Sequence, residues 1–124
     1  AVADSLLPKV DFTITVEDAG NGYCKVTSDA PLRAGFFELL RGAHTAWVNE
    51  MDTEVFLFFD DPQGVSRQPV IRLAAASDRS TVAYYTIRDV TEVVEVTSDL
   101  EGCKAASGQG GPKFKVCPTR DCSD

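Results

Sequence analysis

The four cysteines are the residues whose type and spacing say most about the chemistry of this chain. Cys24 stands alone near the start, whereas Cys103, Cys117 and Cys122 lie in the last quarter. Zinc sites use closely spaced ligand pairs, so this spacing favours disulfides over a metal centre. Of the three pairings that four cysteines allow, we favour Cys24–Cys103 with Cys117–Cys122, because the four residues between the last two can close a small loop. Cys24–Cys117 with Cys103–Cys122 is the alternative.

The single histidine restricts the catalytic chemistry open to the chain. A Ser-His-Asp or Cys-His site would have to use His44. No serine lies in the Gly-x-Ser-x-Gly pattern of a nucleophile elbow. We therefore interpret His44 as a strand-edge or surface residue, and we expect a protein that is not an enzyme and has neither catalytic residues nor a cofactor.

A group of carboxylates in the middle of the chain has the chemistry to bind calcium, a cation that takes several oxygen ligands. Asp60 and Asp61 are adjacent, and Glu50, Asp52 and Glu54 lie just upstream. Their order does not follow the spacing of an EF-hand loop. We interpret them as turn-forming residues on a solvated rim and predict no metal site, although whether Asp60 and Asp61 bind calcium stays open.

Aromatic residues are the first candidates for contact with a partner, because Tyr and Trp are enriched at interfaces. Trp47 is the type of residue that stacks on a sugar face, although its apolar segment favours a place in the core. Of the adjacent Tyr84 and Tyr85, one ring should point inward and the other outward. The candidate protein or sugar contacts are Trp47, Asn49, Glu50, Tyr84, Tyr85 and, at a sheet edge, Phe114.

Charge and hydropathy exclude some classes of partner. The formal net charge is −7, and an acidic chain repels phosphate backbones and anionic lipid, so we expect no nucleic-acid partner. No apolar run approaches the roughly 18 residues of a membrane span, so we expect no membrane insertion. The chain begins at Ala1 rather than Met, as a processed product or an excised domain would. Together with paired cysteines, this predicts a secreted or extracellular protein, or one in a secretory organelle.

The elements that must position these residues are predicted to be strands. Residues 10–17 alternate apolar and polar, which indicates a strand with one buried face. A turn at 18–22, rich in Gly and Asn, leads to a second strand at 23–28. Further strands are predicted at 35–41, 45–48, 54–59, 69–75, 81–87, 92–96 and 113–116. For the first of these, a short helix that begins at Pro31 and ends at Gly42 is the alternative. The segment 54–59 is apolar on both faces, so we expect a central strand covered on each side.

The connections between these segments complete the predicted architecture. Turns are expected at 60–64 and 77–80, a flexible loop at about 104–112, and a Cys-rich tail at 113–124. The lysines of the last strand would face solvent and protect a sheet edge. Strands spaced roughly 8–12 residues apart are typical of a sandwich or barrel. We therefore predict a single domain, 1–124, that is all-β: an antiparallel β-sandwich of jelly-roll or galectin-like type, stabilised by disulfides.

The middle of the chain resembles galectin-like sandwich modules. The resemblance covers about 42–72 and rests on HTAWV at 44–48, EVFLF at 54–58 and GVSRQPVIR at 64–72. The same stretch is similar to modules of the farnesoic-acid-methyltransferase-like family and to the disulfide-bonded galectin-like domains of apicomplexan micronemal adhesins, which bind partner proteins.

The chain departs from the sugar site of true galectins, which uses His-x-Asn-x-Arg and a later Trp-x-x-Glu. Trp47 and Glu50 match the second spacing but lie too early relative to the other strands. The resemblance thus implies protein binding rather than galactoside binding. We predict a non-catalytic protein–protein recognition module of a secreted or cell-surface adhesion complex, with an extracellular protein as partner; a lectin-like, carbohydrate-binding domain is the alternative.

Overall fold

The fold of this computed structural model is all-β over the residues that the structure describes, which are 10–59, 70–76, 82–105 and 111–119. Some predictions concern residues outside this part of the chain, including the turn at 60–64, Asp60, Asp61 and Cys122. The strands are β1 (Phe12–Gly20), β2 (Tyr23–Ser28), β3 (Leu32–Arg33), β4 (Phe36–Leu40), β5 (His44–Asn49), β6 (Val55–Phe59), β7 (Val70–Leu73), β8 (Val82–Thr86), β9 (Val94–Glu101), β10 (Lys104–Ala105) and β11 (Lys113–Cys117).

The first hairpin forms where the local sequence predicts it. Asn21 and Gly22 both adopt positive φ, 56° and 83°, a pair of conformations that matches the twist of a two-strand hairpin. The Asp18 carboxylate accepts a hydrogen bond from the Gly20 amide at 2.8 Å, which stabilises the entry to the turn. The apolar residues of β1 and β2 then fall on one buried face, as their period of two requires.

Two sheets make up the structure. The first, of five strands, has the order β10-β2-β1-β5-β8, and the second, of six, has the order β3-β4-β11-β9-β6-β7. The all-β prediction is confirmed. Most strand pairs are antiparallel, as predicted, but both sheets are mixed, because β1–β5, β10–β2 and β11–β4 are parallel pairs. Parallel neighbours need a long crossover, and the chain supplies one by passing through β2, β3 and β4 between β1 and β5.

The core lies between the inner faces of the two sheets and centres on Trp47. This side chain is fully buried, and its ring centroid lies 5.4 Å from that of Phe114 and 6.2 Å from that of Phe59, both on the opposite sheet. Phe37 packs against Phe114 at 5.9 Å. Aromatic contacts at these separations join the layers and are favourable beyond the area they bury.

The preferred disulfide is confirmed at one of its two bridges. Cys24 and Cys103 are bonded, with a Cα–Cα distance of 5.9 Å and a sequence separation of 79. The bond lies where β10 pairs with β2, so it fixes the end of β9 to the first hairpin. Cys117 is disulfide-bonded as well.

The position of β11 corrects the sequence prediction. Its lysines do face outward, but β11 is an interior strand between β4 and β9, so it protects no edge. Phe114 therefore lies at the centre of the second sheet, with no exposed area. The alternation of charged and apolar residues in β11 determines which face of the sheet each side chain occupies. Which strands lie beside β11 depends instead on the long crossover that brings it next to β4. The predicted loop 104–112 also begins with a short strand, β10.

The central strand β6 has an outer face that only partly matches the prediction. It lies in the interior of the second sheet, between β9 and β7. Phe56 and Phe58, however, are half-buried rather than fully covered, and their rings stack on each other with centroids 6.2 Å apart. The outward rings of this strand thus shield each other instead of packing under a further layer.

Candidate functional site

Three of the predicted contact residues lie in the core. Trp47 and Phe114 have no exposed area and Asn49 is 1 % exposed, so none of them can touch a partner in this conformation. Their assignment as contacts is corrected by burial, because β5 and β11 both have two neighbours and turn these side chains toward the other sheet. Glu50, at the end of β5, is exposed.

Asn49 has a structural role instead. Its amide nitrogen donates to the carbonyl oxygens of Thr53 (2.8 Å), Ala74 (3.0 Å) and Leu73 (3.3 Å), while its side-chain oxygen accepts from the Met51 amide at 2.8 Å. These bonds join the end of β5 to the loop before β6 and to the end of β7 on the opposite sheet. A buried amide satisfied in this way fixes loop geometry and is not available to a sugar.

The two adjacent tyrosines divide between the faces of β8, as predicted. Tyr84 points outward and is 57 % exposed. Tyr85 points inward and packs against the core, and desolvation by burial raises the pKa of its hydroxyl. Of the aromatic candidates, Tyr84 is therefore the one that presents a ring to solvent.

The residues that lie beside Tyr84 and Val82 in the register of the first sheet are uncharged. In the register of the first sheet, Tyr84 lies opposite Ala46, and Val82 lies opposite Val48. The next strand, β1, continues the same rows with threonines. We call this surface the Tyr84 face; its residues are Thr13, Thr15, Ala46, Val48, Val82 and Tyr84. On a chain of net charge −7, a neutral face of this kind is where an apolar contact meets the least electrostatic opposition.

The strand that carries Tyr84 is also an open edge. Among the described residues, β8 pairs with β5 alone. The Ile87 amide donates to the Ala43 carbonyl at 2.8 Å. This bond shows which residues of β8 direct their backbone groups toward β5, because in an antiparallel pair every second residue does so. The N–H and C=O groups of Val82, Tyr84 and Thr86 accordingly point away from β5. Strand β8 has no Lys or Pro, the residues that usually protect such an edge.

Sequence reasoning identified Tyr84 but missed Val82 and Val48. The signal that points to them is the absence of any charge between 81 and 87, in a segment that alternates with period two. A half-exposed strand without charged residues on its outer face is the pattern of a surface that is covered by something else.

Among the described residues, the contacts of His44 differ from those of a catalytic triad. It is exposed, and its ring nitrogen Nδ1 lies 3.2 Å from the Thr86 hydroxyl. The Asp11 carboxylate accepts from the backbone N–H of His44, at 2.9 Å, and not from its ring. In a catalytic triad the carboxylate orients the imidazole itself.

The acidic group before β6 is only partly within the described residues. Glu54 pairs with Arg72, and Asp52 is exposed. In the described ranges, no three His, Cys, Asp or Glu residues come together as ligands for a metal ion.

A pocket of about 450 Å³ opens beside the turn between β4 and β5. Its floor is apolar and includes Leu39 and Phe12, and its charged groups are Asp11, Glu38 and Arg41. Each of these is already engaged within the chain, since Asp11 caps the backbone of β5, Arg41 pairs with an aspartate at 3.0 Å and Glu38 lies 3.6 Å from an arginine. The pocket thus has shape but no unpaired polar group to orient a ligand.

No protein-family model matches the chain, and no curated protein matches it at a significant level. The galectin-like resemblance therefore stays a prediction. Among the described residues, no helix is long and apolar enough to span a membrane.

Proposed function

We propose that this protein is a non-catalytic recognition module that binds another protein through the Tyr84 face and the open edge of β8. The observation that carries the proposal is the exposed ring of Tyr84 on an uncharged strand whose outward N–H and C=O groups pair with no other strand among the described residues. An exposed tyrosine beside uncharged neighbours is the kind of residue that becomes a hot spot in an interface.

The chemistry of the edge favours a protein over a small molecule. Alternating backbone donors and acceptors along Val82–Thr86 match those of another extended chain, which can add as a further strand. Main-chain bonds of this type supply affinity, while outward side chains such as Tyr84 and Val82 select the partner. The proposed partner is thus a protein with an extended segment that docks against β8.

The compartment follows from the sulfur chemistry. Disulfides persist in oxidising surroundings and are rare in the cytosol, and both Cys24–Cys103 and Cys117 are oxidised. We propose a secreted or cell-surface setting, in which an adhesion complex is a common context for small disulfide-bonded β domains.

The alternative, carbohydrate binding, has less support from the surface. It was motivated by Trp47, Asn49 and Glu50, of which the first two are buried. Protein recognition is the function that the exposed residues favour.

The test places a photoreactive phenylalanine analogue at Tyr84. As a control, the same analogue replaces the exposed Tyr23 on β2, which is three strands away from β8 in the same sheet. After irradiation in native extract, we expect a protein adduct from position 84 and not from position 23. The captured protein is then purified and titrated against two matched variants.

These variants make the same change at positions of similar exposure. Val82 is 39 % exposed on β8 and Val93 is 36 % exposed outside the strands. Val82→Lys should weaken binding at least tenfold, because a lysine disrupts the neutral edge, whereas Val93→Lys should change it less than twofold. Equal affinity of the two variants, or a glycan array that shows saturable sugar binding blocked by Tyr84→Ala, would overturn the proposal.

A further inference from the structure

The outer face of the second sheet carries a feature that is independent of the Tyr84 face and lies on the opposite side of the sandwich. Phe56 and Phe58 on β6 stack there with an interplanar angle of 26° and remain half-buried. Their presence on an outer face is unusual for a strand whose neighbours on both sides carry charged residues.

Acidic side chains flank the two rings in register. Across the antiparallel pair with β9, Phe56 lies opposite Glu101 and Phe58 lies opposite Asp99. Directly paired residues share a face, with Cβ atoms about 4.5–5.5 Å apart. Both carboxylates are exposed, and neither forms an ion pair within the described part of the chain. Each ring thus has at its side a carboxylate without an ion-pair partner among the described residues.

The cation nearest in register is already engaged. Arg72 on β7 lies opposite Phe56, but its guanidinium is paired with the carboxylate of Glu54. The residue opposite Phe58 on the same strand is Val70, which is uncharged. The rings and the two carboxylates of β9 therefore lack a cation of their own among the described residues.

The same sheet shows what such a site looks like when it is filled. The Nζ atoms of Lys113 and Lys115 lie 5.8 Å and 5.2 Å from the ring centroid of Phe36. Lys115 is also 3.7 Å from the carboxylate of Glu95. A cation that contacts both a ring and a carboxylate is thus already part of this face, and the contacts of this type found among the described residues are both at Phe36.

We propose that the Phe56–Phe58 pair, with Asp99 and Glu101, is a second docking surface, and that its occupant is an extended basic segment with two arginines at alternate positions. Asp99 and Glu101 are two residues apart on one strand, about 6–7 Å along its axis. Arginines two residues apart on an extended partner have the same separation. Each guanidinium can then stack on a phenylalanine ring and pair with the adjacent carboxylate. The segment complements both the charge and the spacing of the site.

The test uses synthetic peptides and the full chain, with binding measured by isothermal titration calorimetry. The probe carries two arginines separated by one serine between glycines. One control peptide has the two arginines adjacent, a second replaces both by lysine, and a third replaces both by uncharged citrulline. We expect the alternate-arginine peptide to bind at least threefold more tightly than the adjacent one and the lysine one, and no saturable binding of the citrulline peptide.

Matched variants separate this site from the overall negative charge. Asp99→Asn with Glu101→Gln should weaken binding of the probe peptide at least fivefold. Glu50→Gln with Asp52→Asn removes the same charge from exposed positions elsewhere and should weaken this binding less than twofold. Phe58→Leu should abolish the preference for arginine over lysine while leaving the circular dichroism unchanged. Equal weakening by the two charge variants, or the absence of saturable probe binding to the unaltered chain, would overturn the proposal without bearing on the Tyr84 face.

Discussion

The indole nitrogen of Trp47 donates a hydrogen bond to the hydroxyl of Thr45 at 2.8 Å, and that hydroxyl donates in turn to the carbonyl of Tyr85 at 2.7 Å. Thr45 is 1 % exposed and Trp47 is fully buried. The relay therefore satisfies the one polar atom of the central tryptophan and joins β5 to β8 from the side of the core. It explains how a tryptophan can occupy the middle of the sandwich without an unpaired donor.

Replacing Thr45 should expose the importance of this relay. Thr45→Val keeps the shape of the side chain but leaves the indole N–H buried and unpaired, so we expect the free energy of unfolding to fall by about 1–3 kcal/mol. Thr45→Ser keeps the hydroxyl and should cost less. Urea denaturation followed by tryptophan fluorescence measures both, and a larger loss for the serine variant would contradict the assignment.

Asn49 should be intolerant of its closest isostere. Asn49→Asp places a carboxyl group, 1 % exposed at this position, against the three carbonyl oxygens that the amide now contacts. Burial and repulsion by these three carbonyl oxygens should raise the pKa of the new carboxyl above its unfolded value, and they outweigh the single hydrogen bond that the Met51 amide donates to this side chain. The folded state then holds its proton to higher pH than the unfolded state does, so the variant should be closest to the unaltered chain in acid and lose stability as pH rises.

Unfolding by urea at a series of pH values measures this difference. The unaltered chain is the reference at each pH, and Asn49→Ala, which introduces no titrating group, is the control for the loss of the hydrogen bonds. A constant difference between the aspartate and alanine variants across acid and neutral pH would contradict the proposed surroundings of Asn49.

The sequence predicts those features of this fold that depend on local geometry. The turn at Asn21-Gly22, the faces of the strands and the opposite orientation of Tyr84 and Tyr85 all follow from period and backbone conformation. The partners of Asn49 do not, since they come from a loop and from a strand 24 or 25 residues away. The interior place of β11 was equally beyond local pattern, because parallel pairing with β4 is a property of the crossover. For the same reason the open edge at β8, and with it the candidate site, emerges only from the strand order.

Gly102 should be far less tolerant of a side chain than other glycines of positive φ. A Cβ atom at this position would lie 2.0 Å from the carbonyl oxygen of Glu54, whereas at Gly42 it would meet nothing within 4 Å. Their φ angles are 99° and 72°, so both alanine variants carry a backbone penalty, roughly 1–2 kcal/mol. Gly102→Ala should lower the free energy of unfolding by about 1–3 kcal/mol more than Gly42→Ala does, because the backbone must move to relieve the overlap. Thermal or urea unfolding of the pair provides the comparison, and equal losses would refute the close contact.

The half-buried side chain of Tyr85 predicts a loss of stability in alkali. Because burial raises its pKa in the folded state, the unfolded chain releases this proton first, at about pH 10. The contribution of Tyr85 to stability is fully present below that pH and is lost as pH rises toward the folded pKa. Tyr85→Phe, which removes the titrating hydroxyl, should flatten this part of the stability curve. An unchanged alkaline loss of stability in urea titrations of Tyr85→Phe would argue against this assignment.

The disulfide between Cys24 and Cys103 closes a loop with a sequence separation of 79, so its removal should have a large effect on the unfolded state. Chain entropy for a loop of this length corresponds to about 4 kcal/mol, and native bridges typically contribute about 2–4 kcal/mol. We expect Cys24→Ala with Cys103→Ala to lower the free energy of unfolding within that range. The same change should speed hydrogen exchange at the Lys104 amide, which donates to the Gly22 carbonyl at 3.2 Å. The amides of β11 are held on both sides by neighbouring strands, so their exchange rates should change only as far as global stability changes. If exchange at Lys104 changed no more than exchange in β11, the bridge would not be what holds β10 to the first hairpin.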